Sequence, residues 1–142
     1  MKRLILSLAV ATSLIVPAAA LACEGHSQQA SAEPKKLTVA ELAALTKDKK
    51  ATPVDANGEK TRAEKGVIPG AVLLTSSSQY AVTELPKAKD SKLVFYCANE
   101  KCSASKQAAM RAMENGYTDV AVLPVGINGW KDAGQPTAKP NS

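Results

Sequence analysis

A buried strand that ends in a cysteine is the feature that most restricts what this chain can fold into. Leu93–Tyr96 is a continuous apolar run, the pattern of a parallel strand buried on both faces. Cys97 follows directly, and a second apolar run lies at Val120–Leu123. A helix is predicted between the two runs over 103–115, ended by Gly116. This order of strand, helix and strand predicts a parallel α/β unit.

The other predicted elements extend the same alternation of strands and helices. The first helix has a clear start, because Thr38 and Glu41 are spaced as a capping box. Helices are also predicted at 38–46, 80–85 and 127–133. Strands are also predicted at 51–56 and 71–74. Such alternation predicts an α/β domain of three layers, with a mostly parallel central sheet and helices on both faces.

The N-terminus has the pattern of a bacterial-type signal peptide. Residues 2–3 are basic, an apolar run covers 4–16, and Ala-Leu-Ala at 20–22 is a small-residue cleavage site. Cleavage after Ala22 would direct the protein to the periplasm or the exterior. The apolar run is shorter than the ~20 residues of a membrane-spanning helix, so no transmembrane span is expected after processing. Lipidation at Cys23, as in a lipoprotein, is the less favoured alternative.

The chain after this signal at 1–22 is predicted to have three parts. Residues 23–36 are small and polar, without an apolar period, and are predicted to be a flexible leader. Residues 37–136 are predicted to form one domain and 137–142 a tail. With 142 residues in all and 45% hydrophobic residues, the chain has the size and composition of a single globular domain.

The positive charge of the chain does not indicate a nucleic-acid partner. Its formal charge is +5, and removal of the two basic residues of the signal lowers this to +3. The remaining lysines are mixed with acidic residues, as at 47–50 and 87–90. This is the pattern of an ordinary solvated surface, and we expect no nucleic-acid binding.

Cys97 is the first candidate for covalent chemistry. A cysteine between a strand and a helix can be surrounded by loop N–H groups, here those of 98–103, and by the positive end of the helix dipole. Such surroundings lower a cysteine pKa from ~8.5 towards ~3.5–7.5, and the thiolate is the nucleophilic form. A buried structural cysteine is the alternative that the spacing leaves open.

Three stretches of the chain, taken in order, carry a resemblance to a known family. The first is Asp55 followed by Gly-Val-Ile-Pro-Gly-Ala at 66–71. The second is the strand-end Cys97 with the loop that closes in Ser103. The third is a set of glycine-containing segments at 116–120, 126–130 and 134–136. In this combination, over 37–136, the chain resembles a single-domain rhodanese-like protein.

The resemblance implies an exported sulfurtransferase. In that family the loop cysteine, here Cys97, takes a sulfane sulfur from a donor, becomes a persulfide and passes the sulfur to an acceptor. The implied partners are a small sulfur donor and a thiol acceptor, with no cofactor and no metal. The substrate-binding cradle for the outer sulfur would be Ala98, Asn99, Glu100, Lys101, Cys102 and Ser103.

The length of the loop separates branches of the resembled family. Counted from Cys97 through Cys102 the loop has six residues, as in the sulfur-handling branch. The related phosphatase and arsenate-reductase branches use a loop one residue longer that ends in arginine. The loop of this chain contains no arginine, so the resemblance favours sulfur chemistry over phosphate chemistry.

The chain departs from the resembled family near the site. Asn57 replaces the arginine that follows the family's aspartate, so the usual arginine pairing is expected to be missing. Arg62 is a candidate anion contact for the loop, and Asp55 is expected to be structural, accepting N–H bonds in the turn after its strand. Glu100 in the loop disfavours thiosulfate, which is a dianion.

Cys102 opens a second hypothesis. It shares a tight loop with Cys97, and in an exported protein the two can form a disulfide. Cys102 would then be a resolving thiol, and the protein a thiol–disulfide oxidoreductase or redox sensor. A non-catalytic binding module with the same fold is the third alternative. Cys23 and His26 are too few ligands for a stable metal site, and none is expected.

Overall fold

A five-stranded parallel sheet forms the centre of the structure, a computed structural model that describes residues 33–140. The strands lie in the order β1-β5-β4-β2-β3, and every neighbouring pair is parallel. Their bounds are Lys35–Lys36 (β1), Thr52–Asp55 (β2), Val72–Leu73 (β3), Leu93–Tyr96 (β4) and Val120–Leu123 (β5). The predicted α/β fold with a parallel sheet is confirmed.

Four helices and a short 3₁₀ turn complete the described part of the chain. Small residues of one helix, among them Ala108 and Ala112, pack on one sheet face, and Leu42 and Trp130 from two other helices pack on the opposite face. The helices are Val39–Lys47 (α1), Glu59–Lys65 (α2), Ala104–Glu114 (α3) and Gly126–Asp132 (α4), with the 3₁₀ turn at Val82–Glu84. The structure therefore has the three layers that the sequence predicts.

The central strand β4 shows why its sequence is apolar throughout. Leu93 and Phe95 belong to the core under α3, whereas Val94 and Tyr96 belong to the core under α1 and α4. All four residues are buried, because helices cover both faces of the sheet at this strand. The chain direction of β4 brings its carboxyl end, and thus Cys97, to one edge of the sheet.

Two segments predicted to be irregular are paired in the structure. Lys35–Lys36, predicted in the flexible leader, pairs with β5, and the Leu37 N–H donates to Val122 O at 2.9 Å. Ala138, predicted in the tail, exchanges two backbone hydrogen bonds with Val67 at 2.8 and 2.9 Å. Both pairings use backbone groups only, so the polar side chains of these segments gave no sign of them.

Helix α2 was not predicted from the sequence. Its segment, Glu59–Lys65, has no apolar period, and Arg62 is the residue of it that is buried. The helix predicted over 80–85 is a shorter 3₁₀ turn at Val82–Glu84. The predicted signal peptide, Cys23 and His26 lie outside the described residues, and within 33–140 no helix is long and apolar enough to cross a membrane.

Candidate active site

Cys97 lies at the carboxyl end of β4, and its loop is clamped by the start of α4. The Ile127 N–H donates to Cys97 O at 2.8 Å, and the Asn128 N–H donates to Ala98 O at 3.0 Å. Gly126 permits this approach, because a Cβ there would lie 2.4 Å from Cys97 O and its φ is +61°. The loop that carries Cys97 is therefore fixed against the backbone of a second element.

The Cys97 sulfur is enclosed by hydrogen-bond acceptors. The side chain has no exposed surface, and its thiol donates to Cys102 O at 3.1 Å. The sulfur also lies 3.4 Å from Ser105 Oγ and 3.8 Å from Asn99 O. Burial first, and then the Cys102 thiol, raise the pKa of Cys97, while hydrogen bonds with Ser105 act in the opposite direction. Burial and the hydrogen bond to Cys102 O therefore favour the thiol form of Cys97 over its thiolate.

Asn99 takes up loop N–H groups that were expected to face the Cys97 sulfur. The Lys101 N–H donates to Asn99 Oδ1 at 3.0 Å, and the Cys102 N–H donates to Asn99 O at 3.1 Å. Asparagine side chains commonly satisfy the backbone two residues ahead in this way. Two of the loop N–H groups that were predicted to hold a Cys97 thiolate are therefore bonded to Asn99 instead.

Cys102 has the more thiolate-stabilising position of the two cysteines. It is half-buried, and burial opposes ionisation, but a hydrogen bond with the Cys97 thiol and with backbone groups of Ala104 and Ala98 lowers its pKa. Ala104 is the first residue of α3 and Ser105 is the second, so the helix N-terminus favours the thiolate at both cysteines. Both loop cysteines are free, and the opposite shifts of their pKa values favour the thiolate at Cys102 over that at Cys97.

The two thiols should differ in reactivity towards an alkylating agent. At about pH 7.5 we expect iodoacetamide to modify Cys102 at least ~10-fold faster than Cys97, because thiolate fraction and exposure both favour Cys102. The rate at Cys102 should rise with a midpoint below the ordinary value of ~8.5, and that at Cys97 with a midpoint above it. Peptide mapping after timed labelling from about pH 6 to 10 measures both, and faster labelling of Cys97 would contradict the assignment.

Asp55 and Arg62 form a buried ion pair beside the same edge of the sheet. Asp55 Oδ1 accepts the Asn57 N–H at 2.6 Å and lies 3.4 Å from Arg62 Nε. Arg62 Nη2 donates to Asp55 O at 3.0 Å and to Leu74 O at 2.8 Å. Arg62 thus ties the ends of β2 and β3 together, and Asp55 fixes the turn that follows its strand.

This ion pair corrects two expectations from the sequence. An arginine partner for Asp55 is present, supplied by Arg62 of α2 rather than by the residue at position 57. Arg62 is 7% exposed and bonded to carbonyl oxygens, so it is not an anion contact of the cysteine loop. The sequence did not reveal this pairing because α2 itself, which aims Arg62 back at β2, was not predicted.

The outer side of the loop borders an open cleft of about 420 Å³. Asn99, Glu100 and Lys101 line it, together with Asp132 of α4, so acidic and basic side chains share this surface. Ala98 accepts the hydrogen bond from α4, and Ser103 is the N-cap of α3 without a side-chain capping bond. Within 33–140 no cluster of three or more His, Cys, Asp or Glu side chains could hold a metal ion.

Two residues at the site were missed in the sequence. Ser105 contacts the Cys97 sulfur from the first turn of α3. Its sequence signal would have been its place as a polar residue on the small-residue face of that helix. Gly126 lies in one of the glycine-containing segments of the sequence, and it is the residue that lets α4 contact the backbone of the Cys97 loop.

Comparisons with known proteins agree with this architecture. A family model described as a rhodanese-like domain matches residues 38–133, and no curated protein sequence matches the chain. A protein of unknown function from Rhodopseudomonas palustris, described as a possible tyrosine phosphatase, is 30% identical; the match covers 74% of this chain and 85% of that one, with a TM-score of 0.60.

Two single-domain sulfurtransferases have similar structures. The Saccharomyces cerevisiae protein is 23% identical over 74% of this chain and 98% of its own, with a TM-score of 0.60. The human protein is 23% identical over 71% of this chain and 97% of its own, with a TM-score of 0.56. At this identity the likeness concerns the fold, whereas the family match covers most of the chain. The chain belongs to the rhodanese-like domain family.

Proposed function

We propose that the protein is a sulfurtransferase that carries a sulfane sulfur as a persulfide on Cys97. The observation that carries this proposal is the position of Cys97, at the carboxyl end of the central parallel strand and at the start of the loop into α3. Ligands of parallel α/β sheets bind beyond this end of the strands. Membership of the rhodanese-like family supports the same assignment.

Loading of Cys97 requires its thiolate. Cys102, hydrogen-bonded to Cys97 and with a lowered pKa, is the nearest base for the Cys97 proton. The resulting thiolate attacks the terminal sulfur of the donor. The donor's S–S bond breaks, and its electron pair leaves with sulfite, a thiolate or a polysulfide that is one atom shorter. Cys97 then carries the outer sulfur as a persulfide anion.

In the transfer step Cys97 is the leaving group, whereas in the loading step it is the nucleophile. The thiolate of an acceptor attacks the outer sulfur, the bond between the two sulfurs breaks, and the electron pair returns to Cys97. The acceptor leaves as a persulfide, and Cys97 regains a proton from Cys102 or from water. Each step exchanges one S–S bond for another, so no net oxidant is consumed.

The loop composition favours sulfur donors of low charge. Glu100 and Asp132 border the cleft together with Lys101, so its surface offers little net attraction to the thiosulfate dianion. The loop contains no arginine, and Arg62 is engaged with carbonyl oxygens, so a phosphate group would lack the bidentate partner that it favours. Persulfides, whose reactive sulfur group carries a single negative charge, are therefore the proposed donor class.

A thiol–disulfide oxidoreductase is the second candidate. It is favoured by the hydrogen bond from the Cys97 thiol to Cys102 O and by the opposite directions in which the pKa values of the two thiols are shifted. The signal-peptide pattern at 1–22 supports a periplasmic or secreted location, where such a pair would meet oxidising conditions. A binding module without turnover would leave both features unexplained.

Donor-dependent sulfur transfer tests the proposed function. Reduced protein is mixed with inorganic polysulfide or thiosulfate as donor and with glutathione as acceptor, and the sum of glutathione persulfide and sulfide is quantified. We expect total sulfur transfer above the protein-free rate from at least one of the two donors. Absence of acceleration with either donor would remove the sulfurtransferase assignment.

A further inference from the structure

We propose that Cys102 resolves the persulfide on Cys97, releasing sulfide and leaving a Cys97–Cys102 disulfide. The protein would then reduce sulfane sulfur to sulfide, with an external dithiol restoring the two thiols. This inference rests on the proposed function, because it needs sulfur to load on Cys97. It goes further in naming a product, sulfide, and a second reactant, a dithiol.

The first support is that the loop offers little to stabilise a persulfide anion. The N–H groups of Lys101 and Cys102 are bonded to Asn99, and so are not directed at an outer sulfur. The neighbours of the Cys97 sulfur are two acceptors, Cys102 O at 3.1 Å and Asn99 O at 3.8 Å, and one hydroxyl able to donate, Ser105 Oγ at 3.4 Å. A negative charge held next to carbonyl oxygens is disfavoured, so we infer a short-lived persulfide.

The second support is the position of Cys102 relative to Cys97. Cys97 has no exposed surface, so its own sulfur, the inner sulfur of the persulfide, is poorly reached by a thiol from solution. Cys102 is in the same loop, and its carbonyl oxygen accepts the Cys97 thiol at 3.1 Å. An intramolecular partner held in contact has a large kinetic advantage over one that must diffuse in.

The resolving step balances without a further reactant. The Cys102 sulfur attacks the inner sulfur, that of Cys97 itself, and the bond between the inner and outer sulfurs breaks. The outer sulfur leaves with the electron pair and takes the Cys102 proton, so that it departs as hydrosulfide. Two cysteine sulfurs are oxidised to a disulfide, and the sulfane sulfur is reduced to sulfide.

The disulfide is returned to two thiols by an external dithiol. A thiolate of the reductant attacks the Cys102 sulfur, which is the more exposed of the two, and Cys97 leaves with the electron pair and is protonated. The second thiol of the reductant then attacks the mixed disulfide and releases Cys102. The reductant departs as its own disulfide, and the two electrons that it gives up are those that reduced the sulfane sulfur to sulfide.

Anaerobic mass spectrometry of the full chain tests this inference. Reduced wild-type protein is treated with inorganic polysulfide, desalted, alkylated and mapped. We expect it to lose about 2 Da and to contain a Cys97–Cys102 link, with sulfide released on loading. Cys102→Ser should instead gain about 32 Da, one sulfur atom, and retain it on Cys97. Cys23→Ser is the matched control and should behave as wild type.

The possible results separate the inference from the function on which it rests. Wild-type protein that holds the added sulfur stably on Cys97, with Cys102 free, would overturn the resolving role and leave the sulfurtransferase standing. If the Cys97→Ser protein holds a sulfur on Cys102, then Cys102 is the thiol that is loaded first, and the resolving role is again overturned. Wild-type protein with both cysteines unchanged would reject the proposed function, and the inference with it.

Discussion

Replacing Cys97 with serine should abolish donor-dependent sulfur transfer. A serine oxygen cannot form the persulfide, and its hydroxyl ionises far less readily than a thiol, so the covalent route is lost. We expect the rate to fall by at least ~10³-fold, to that of the protein-free reaction, as for removal of a covalent nucleophile elsewhere. The measurement is the combined yield of glutathione persulfide and sulfide with polysulfide as donor.

Two further variants make the Cys97 result interpretable. Cys97→Ala should lose transfer to the same extent, which separates the missing sulfur from the polarity of a buried hydroxyl. Cys23→Ser carries the same substitution in the predicted leader and should retain the wild-type rate. Thermal unfolding of each variant verifies folding, and a Cys97 variant that is folded and keeps a tenth of the activity or more would disprove the assigned role.

Replacing Gly126 with alanine should destabilise the fold and disturb the cysteine loop. A Cβ at this position would lie 2.4 Å from Cys97 O and 2.6 Å from the Ala98 carbonyl carbon, and the residue has a φ of +61°. The contacts are with backbone, which cannot rotate away. Adding the steric and left-handed terms, we expect a loss of about 3 kcal/mol in the free energy of unfolding.

Gly134 provides a matched control for this variant. Its φ is +71°, close to that of Gly126, but a Cβ there meets no atom within 4 Å. Gly134→Ala should therefore show the conformational penalty alone, about 1 kcal/mol, and wild-type sulfur transfer. Chemical denaturation measures both variants, and equal destabilisation of the two would mean that the contact of α4 with the Cys97 loop does not matter for stability.

The central part of the fold could be predicted from the sequence because its signals are local and periodic. The apolar run of β4 requires burial on both faces, and the spacing of Thr38 and Glu41 gives the start of α1, where the capping box is present. Cys97 was located correctly at the strand end for the same reason. These features depend on side chains that are adjacent along the chain.

The missed features depend on pairings that side-chain patterns do not encode. β1 and the Ala138 bridge are backbone contacts of polar segments. α2 is a polar helix, and its one buried side chain, Arg62, pairs with Asp55 at the end of β2. The electrostatics of the cysteine loop was misjudged because Asn99 competes for its N–H groups. That competition is decided by the loop conformation, which its composition alone does not specify.

The site of sulfur attachment is the most direct test of the central claim, that Cys97 carries the sulfur. Cys102→Ser protein, reduced and then treated with polysulfide without oxygen, is digested and its cysteine peptides are analysed by mass spectrometry. The account predicts a gain of about 32 Da on the peptide that contains Cys97, and its removal by cyanide or a thiol. An unmodified Cys97 in a folded variant, with wild-type Cys97 equally unmodified, would contradict it.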